Sequence, residues 1–173
     1  REIADQYSTH DRPRWVPGSL GPGTKLPTLG HTTYEKLKEA YAIASDGLIA
    51  GGSDALLVET TQDLLQAKAA VNGARDAISR SKQDIVLIAQ VTVETTGTML
   101  MGSEIGAALN ALEPIGIDLI GLNCATGPAE MSEHLRVLSK GATVGISVMP
   151  NAGLPVLSDG GAHYPLAPLE LAA

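Results

Sequence analysis

The stretch of sequence that decides the fold is residues 117–128, IDLIGLNCATGP. Its short apolar run is typical of a strand that is covered on both faces. The run ends in Asn123 and Cys124, and a short turn then leads to Pro128, a residue type that is favoured at the first position of a helix. The stretch therefore predicts a buried strand followed by a helix, with Cys124 at the carboxyl end of the strand.

Other apolar runs repeat this strand-and-helix pattern along the chain. Strand candidates begin near residues 54, 84, 117 and 143, a spacing of roughly 30 residues that suits one strand plus one crossover helix. Such alternation indicates parallel strands joined by right-handed crossovers. A fifth candidate at residues 15–20 is weakened by Pro17.

Local signals predict where the helices begin. Thr32 and Glu35 match a capping box at the start of the first long helix. A second helix is predicted from Asp63 to Ile78, and Ser103 is predicted to cap a third. From Asn151 onward the chain is rich in proline and is predicted to be loop-like, except for the opening turn of a helix at residues 168–173.

Two layouts of parallel strands fit this pattern, an open doubly wound sheet and a closed barrel of alternating strands and helices. Five predicted strands suit the open sheet directly, whereas a typical barrel has eight strands and about 250 residues. The chain has 173 residues and begins at Arg1, so we interpret it as an excerpt of a longer protein. The strand period alone leaves both layouts open.

Composition excludes several classes of protein. The formal net charge is -7 with no cluster of basic residues, which argues against a partner that is a nucleic acid or an anionic membrane. No apolar run reaches the roughly 18 residues of a transmembrane helix, and no signal-peptide pattern opens the chain. The single cysteine cannot form an internal disulfide, so a reducing, cytoplasmic location is expected.

Two residues at predicted strand ends are candidates for chemistry, Cys124 and Glu59. The carboxyl ends of the strands are where barrel enzymes build their active sites. A thiolate is a strong nucleophile and a metal ligand, although a lone buried cysteine is more often a small core residue. Glu94 and Asn151 also follow strands, but loop structure explains them equally well. None of the four histidines has ligand spacing with the cysteine.

Three segments carry a resemblance to a known family: DALLVET at residues 54–60, GLNCATGP at 121–128 and MPNAGLP at 149–155. Together they resemble the homocysteine S-methyltransferase family, above all the homocysteine-binding domain of its cobalamin-dependent members. The likeness extends over essentially the whole chain. It implies an α/β fold, a (β/α)8 barrel of the TIM type. Residues 1–173 would then form a partial barrel of about five strands, lacking the first strand and the C-terminal strands.

The resemblance also implies a site. Family members hold zinc with three cysteine thiolates, and Cys124 matches one of them; the other two belong to a Gly-Gly-Cys-Cys motif that this chain does not contain. Glu59 matches the acid that holds the amino group of homocysteine. For Asn123 two roles are open: it lines the substrate site, or it only satisfies backbone groups at the turn. The zinc-bound thiolate would attack the methyl group of methylcobalamin to give methionine. Cobalamin-binding and folate-binding domains of the same polypeptide are the implied partners.

Two further interpretations assign the chain to other functional classes. One is a zinc-free barrel enzyme with Glu59 as general base, and the other is a non-catalytic α/β binding module. Within the family, the methyl donor could instead be betaine or a similar compound. Because one thiolate holds zinc weakly, the chain by itself is expected to contain no ordered zinc and to be inactive.

Overall fold

The computed structural model describes residues 1–158 and 160–171, and its main feature is a five-stranded parallel sheet. The strands lie side by side in chain order: β1 (Pro17–Leu20), β2 (Ala55–Thr61), β3 (Val86–Val91), β4 (Leu119–Asn123) and β5 (Gly145–Met149). Every pairing between neighbours is parallel. All five strand predictions are therefore confirmed, including the weak first one, which lies at an edge where Pro17 is tolerated.

The helices are α1 (Glu2–Tyr7), α2 (Tyr34–Ala50), α3 (Leu64–Ser81), α4 (Ile105–Leu112), α5 (Pro128–Gly141) and α6 (Pro168–Leu171). Helices α2 to α5 connect the strands of the sheet in turn. Two short 3-10 helices occupy residues Pro27–Leu29 and Glu113–Ile115. No helix within residues 1–158 and 160–171 combines the length and the apolar character needed to cross a bilayer.

The order of the strands decides between the two layouts. The sheet runs from β1 to β5 without reversal, and each of the helices α2 to α5 packs against the next one in the chain. A doubly wound sheet would instead reverse its order at a switch point and place helices on both faces. The sheet is therefore wound in one direction, as in a (β/α) barrel, and the described residues form an open part of such a barrel.

The main core lies between the sheet and these helices. Leu56, Leu87 and Ile120 point from three adjacent strands into this layer and are at most 1% exposed. Helix α3 lies against α2 so closely that a Cβ on Gly73 would be 2.4 Å from the carbonyl oxygen of Lys38. Glycine at this position therefore permits a helix contact that any larger residue would push apart.

The opposite face of the sheet and its two edges remain accessible. Val86 is 41% exposed and Met149 is 47% exposed. Strands β1 and β5 form the edges of the sheet, and their unpaired N–H and C=O groups can pair with another chain.

Because of these open edges, we expect the isolated 173-residue chain to self-associate, with apparent mass rising with concentration in sedimentation equilibrium. A monomer that unfolds cooperatively at all concentrations would contradict this expectation.

Two helix starts differ from the prediction. Helix α2 is capped by Thr33, whose Oγ1 accepts a hydrogen bond from the Lys36 N–H at 3.3 Å, rather than by Thr32. Helix α4 follows Glu104, which makes no side-chain cap bond, and Ser103 instead accepts the Met99 N–H in the preceding turn. Neighbouring residues of similar capping ability make such boundaries uncertain by one position.

Helix α6 confirms the helical turn predicted from residue 168, of which residues 172 and 173 lie outside the described part of the chain. The rest of the segment after Asn151 differs from the predicted loop. Strands β6 (Val156–Ser158) and β7 (Gly161–His163) form an antiparallel hairpin outside the main sheet. Gly161 has a φ of +110°, which favours glycine at the turn. The prolines on either side of this segment are typical of a loop, so the sequence pattern did not indicate a strand pair with only three residues in each arm.

Candidate functional site

Parallel strands bring the predicted site residues to the same end of the sheet. Glu59 lies near the end of β2, Asn123 is the last residue of β4, and Cys124 follows it directly. Side-chain hydrogen bonds join the first two, so the carboxylate and the thiol-bearing turn belong to one cluster at the carboxyl end. The prediction that Glu59 and Cys124 share one end of the sheet is confirmed.

The Glu59 carboxylate is held by two neutral donors on different strands. Ser19 Oγ donates to Oε1 at 2.5 Å from β1, and Asn123 Nδ2 donates to Oε2 at 3.1 Å from β4. Each carboxylate oxygen has a further lone pair available. Glu59 is only half-buried, so it can offer a fixed negative charge to a cationic ligand.

Asn123 makes the most contacts in the cluster. Its Nδ2 also donates to Thr60 Oγ1 at 2.8 Å, and its Oδ1 accepts the Thr60 N–H at 2.8 Å. Its backbone carbonyl accepts a hydrogen bond from Thr92 Oγ1 at 3.1 Å. The side chain is 5% exposed, so it is almost wholly surrounded by protein.

Cys124 lies in a tight turn between β4 and α5. Cys124 and Ala125 have φ values of +62° and +58°, a left-handed conformation that ordinary residues rarely adopt. The Cys124 N–H donates to the Met149 carbonyl at 3.2 Å, which ties the turn to the end of β5. The thiol is free and the residue is half-buried, so its sulfur is available as a ligand or nucleophile.

The loop after β1 flanks this cluster and is fixed by buried side chains. Tyr41 Oη donates to the Gly21 carbonyl at 2.9 Å, and burial raises the pKa of Tyr41 to about 12. Gln66 Nε2 donates to the Pro22 carbonyl at 2.5 Å, and the buried Asp63 carboxylate accepts both the N–H and the hydroxyl of Thr28. These anchors hold the loop next to the end of β1, where Ser19 meets Glu59.

The described residues do not complete a metal site. No group of three or more His, Cys, Asp or Glu side chains within residues 1–158 and 160–171 is arranged to hold a metal ion. Zinc sites in proteins use three or four protein ligands, whereas the cluster offers one thiol. The donor set around Cys124 therefore does not fit a zinc ion on its own.

The other strand-end candidates have structural roles. Glu94 accepts the Gly97 N–H and donates its own N–H to the Thr98 carbonyl, which closes a turn after β3. The Asn151 N–H donates to the Thr126 carbonyl at 3.1 Å and so braces the turn after Cys124. These are backbone contacts, as the loop interpretation predicted.

Sequence reasoning did not identify Ser19, Thr60 or Thr92 as members of the cluster. Ser19 lies on β1, whose register with β2 is visible only in the folded sheet. Thr60 has a φ of +57°, and a β-branched residue gives no sequence signal for that conformation. The one sequence feature that indicated this cluster is a polar residue close to the end of each strand.

A cavity of about 890 Å³ lies at the other end of the sheet. It is lined by residues of β2 and β3, including Ala55, Val86 and Ile88. Chemistry in parallel α/β folds is built at the carboxyl ends of the strands. We therefore assign this cavity to the uncovered face of the sheet and place the functional site at the Glu59 cluster.

Comparison with known proteins finds relatives that match essentially the whole chain. The homocysteine S-methyltransferase family model matches residues 1–173, the whole chain. Methionine synthase from Mycobacterium tuberculosis is 65% identical over 172 residues, and that from Mycobacterium leprae is 64% identical over 172 residues. These matches cover 99% of this chain but only 14% of each of those proteins.

Solved structures with a similar fold include the Escherichia coli homocysteine methyltransferase MmuM. Its apo form has a TM-score of 0.67 at 18% identity, covering 82% of this chain and 51% of that one. Its metallated form has a TM-score of 0.66 at 18% identity, with 88% of this chain and 54% of that chain covered. At such low identity these structures establish the fold alone. Because the family model covers the chain from end to end, the chain belongs to the homocysteine S-methyltransferase family.

Proposed function

We propose that residues 1–173 are part of a homocysteine-binding barrel domain that transfers a methyl group from methylcobalamin to homocysteine, giving methionine. In this proposal the first strand and the C-terminal strands of the barrel lie outside the chain. Membership of the homocysteine S-methyltransferase family and the 65% identity with a methionine synthase support it. Cobalamin-binding and folate-binding domains are the proposed partners, since the matched relatives are much longer than this chain.

One observation carries the proposal: the Glu59–Asn123 hydrogen bond joins a carboxylate to the residue that precedes the only thiol. Homocysteine has an ammonium group at one end and a thiol at the other. Glu59 is suited to the ammonium because charge-assisted hydrogen bonds to a carboxylate are short and strong. Cys124 is suited to the end where sulfur chemistry takes place.

We assign zinc to the complete domain, with Cys124 as one of its ligands. Zinc deprotonates a thiol that coordinates it, and this would supply the nucleophile at neutral pH. The remaining ligands must come from residues outside this chain, because the described residues supply one thiol. What this chain itself supplies is the ammonium receptor, Glu59, and one sulfur ligand.

Changing Glu59 to glutamine in the complete protein tests the ammonium receptor. The substitution keeps the shape of the side chain but removes its charge, so homocysteine binding should weaken by about 1.5–3 kcal/mol, the value of a hydrogen bond to a charged group. Zinc content should remain near that of the wild type. Isothermal titration calorimetry with homocysteine measures the first quantity, and elemental analysis measures the second.

Glu94→Gln is the matched control, because it makes the same chemical change at a strand end where only backbone contacts are seen. It should leave homocysteine affinity unchanged. Equal affinity in the wild type and Glu59→Gln would remove Glu59 from the substrate site.

A further inference from the structure

The amide of Asn123 has no donor left for a ligand, and its oxygen is enclosed by protein. Both Nδ2 hydrogens are used, one on Glu59 Oε2 at 3.1 Å and one on Thr60 Oγ1 at 2.8 Å. Oδ1 accepts the Thr60 N–H at 2.8 Å, and the residue is 5% exposed. A residue that lined the site by contacting substrate would need a free donor, or an acceptor exposed to the substrate.

These hydrogen bonds join two strands that are not neighbours in the sheet. Asn123 ends β4, Thr60 lies in β2, and β3 runs between them. The register between β2 and β3 shifts between Val58 and Thr61, so β2 carries a bulge at Glu59 and Thr60. Bulges near active sites change the direction in which a side chain points.

The bulge depends on a strained residue. Thr60 has a φ of +57°, a conformation that is unfavourable for a β-branched residue and persists only where neighbours enforce it. Asn123 bonds both the backbone N–H and the hydroxyl of Thr60. The same amide therefore holds the strained backbone and the carboxylate beside it.

We propose that Asn123 is a positioning residue, which fixes the Thr60 bulge and orients the Glu59 carboxylate rather than contacting the ligand. It acts on the ligand through Glu59, whose Oε2 it holds. The inference rests on the proposed function only in taking the ammonium group of homocysteine as the ligand of Glu59. The contact with Thr60 is independent of any ligand.

Two variants of the complete protein separate the effect of Asn123 on Thr60 from its effect on Glu59. Asn123→Asp keeps an oxygen for the Thr60 N–H but loses the Nδ2 that donates to Glu59. Asn123→Ala removes both contacts. Asn110→Ala, on the exposed side of α4, is the matched control.

The first measurement is hydrogen–deuterium exchange at the Thr60 amide, without ligand. We expect exchange to be at least about tenfold faster in Asn123→Ala and close to the wild type in Asn123→Asp, because a free N–H loses its protection. Unchanged exchange in Asn123→Ala would overturn the proposed role.

The second measurement is the dissociation constant of homocysteine at a single pH, in the wild-type background and in the Glu59→Gln background. In the wild-type background Asn123→Ala should raise it by about tenfold or more, and Asn110→Ala by less than about twofold. In the Glu59→Gln background Asn123→Ala should raise it by less than about twofold, because two changes that act through the same group are not additive. An equal loss of affinity in both backgrounds would overturn the inference, since a residue that contacts the ligand itself acts independently of the charge on Glu59. If the wild type binds no homocysteine, the proposed function fails, while the exchange measurement still decides the role of Asn123.

Discussion

Replacing Cys124 with serine in the complete protein is expected to abolish both zinc retention and methyl transfer. The hydroxyl of serine does not supply the thiolate that zinc favours. The affinity of a thiolate site comes from several ligands acting together and is coupled to folding, so losing one ligand should release the metal. Elemental analysis of purified protein measures zinc, and product formation from homocysteine measures transfer. The residual zinc should be well below one per chain.

Met149→Leu is a suitable control because it removes the sulfur at the neighbouring strand end, where only the backbone carbonyl contacts Cys124. It should retain zinc and activity. Circular dichroism should show that Cys124→Ser remains folded, since the two side chains are almost the same size. Stoichiometric zinc in Cys124→Ser, or in the 173-residue chain alone, would show that the metal is held elsewhere.

Gly121→Ala is expected to lower the free energy of unfolding by more than about 3 kcal/mol, beyond the usual cost of overpacking. A Cβ at this position would lie 1.6 Å from the carbonyl oxygen of Ser147 and 2.6 Å from its carbonyl carbon. Both atoms belong to the backbone of β5, so they cannot move aside without separating β4 from β5. Urea unfolding, followed by circular dichroism, measures the effect.

Gly106→Ala provides the contrast for this variant. Gly106 lies in α4, and the nearest atom to a new Cβ would be Val137 Cγ1 at 4.0 Å. Alanine is favoured over glycine in a helix by about 0.5–1 kcal/mol, so this variant should be slightly more stable than the wild type. Equal stability of the Gly121 and Gly106 variants would mean that β4 and β5 adjust more freely than their register implies.

The sequence predicted the parts of the molecule that follow from local pattern. Apolar runs placed all five strands, and parallel pairing then required Glu59 and Cys124 to lie at one end of the sheet. It did not predict which threonine caps α2, because Thr32 and Thr33 are equally capable. It also gave no sign of the β6–β7 hairpin, whose short arms lie among prolines.

The contacts that organise the site were beyond sequence reasoning for a different reason. Asn123 meets Thr60 across an intervening strand, and that meeting depends on a bulge whose left-handed residue is a threonine. Residue preferences argue against such a conformation, so only tertiary contacts can favour it. The strand period also left the barrel and the doubly wound sheet equally acceptable, and the strand order was needed to separate them.

The chain order of the sheet also bears on how the protein emerges from the ribosome. Each strand from β2 to β5 pairs with the strand synthesised just before it, so its partner is already available when it appears. Pairing across one helix closes loops of modest length, and contacts of short sequence separation form quickly. Nascent chains fold from the amino terminus as they are made. The sheet can therefore grow one strand at a time during translation, without waiting for a distant segment to arrive.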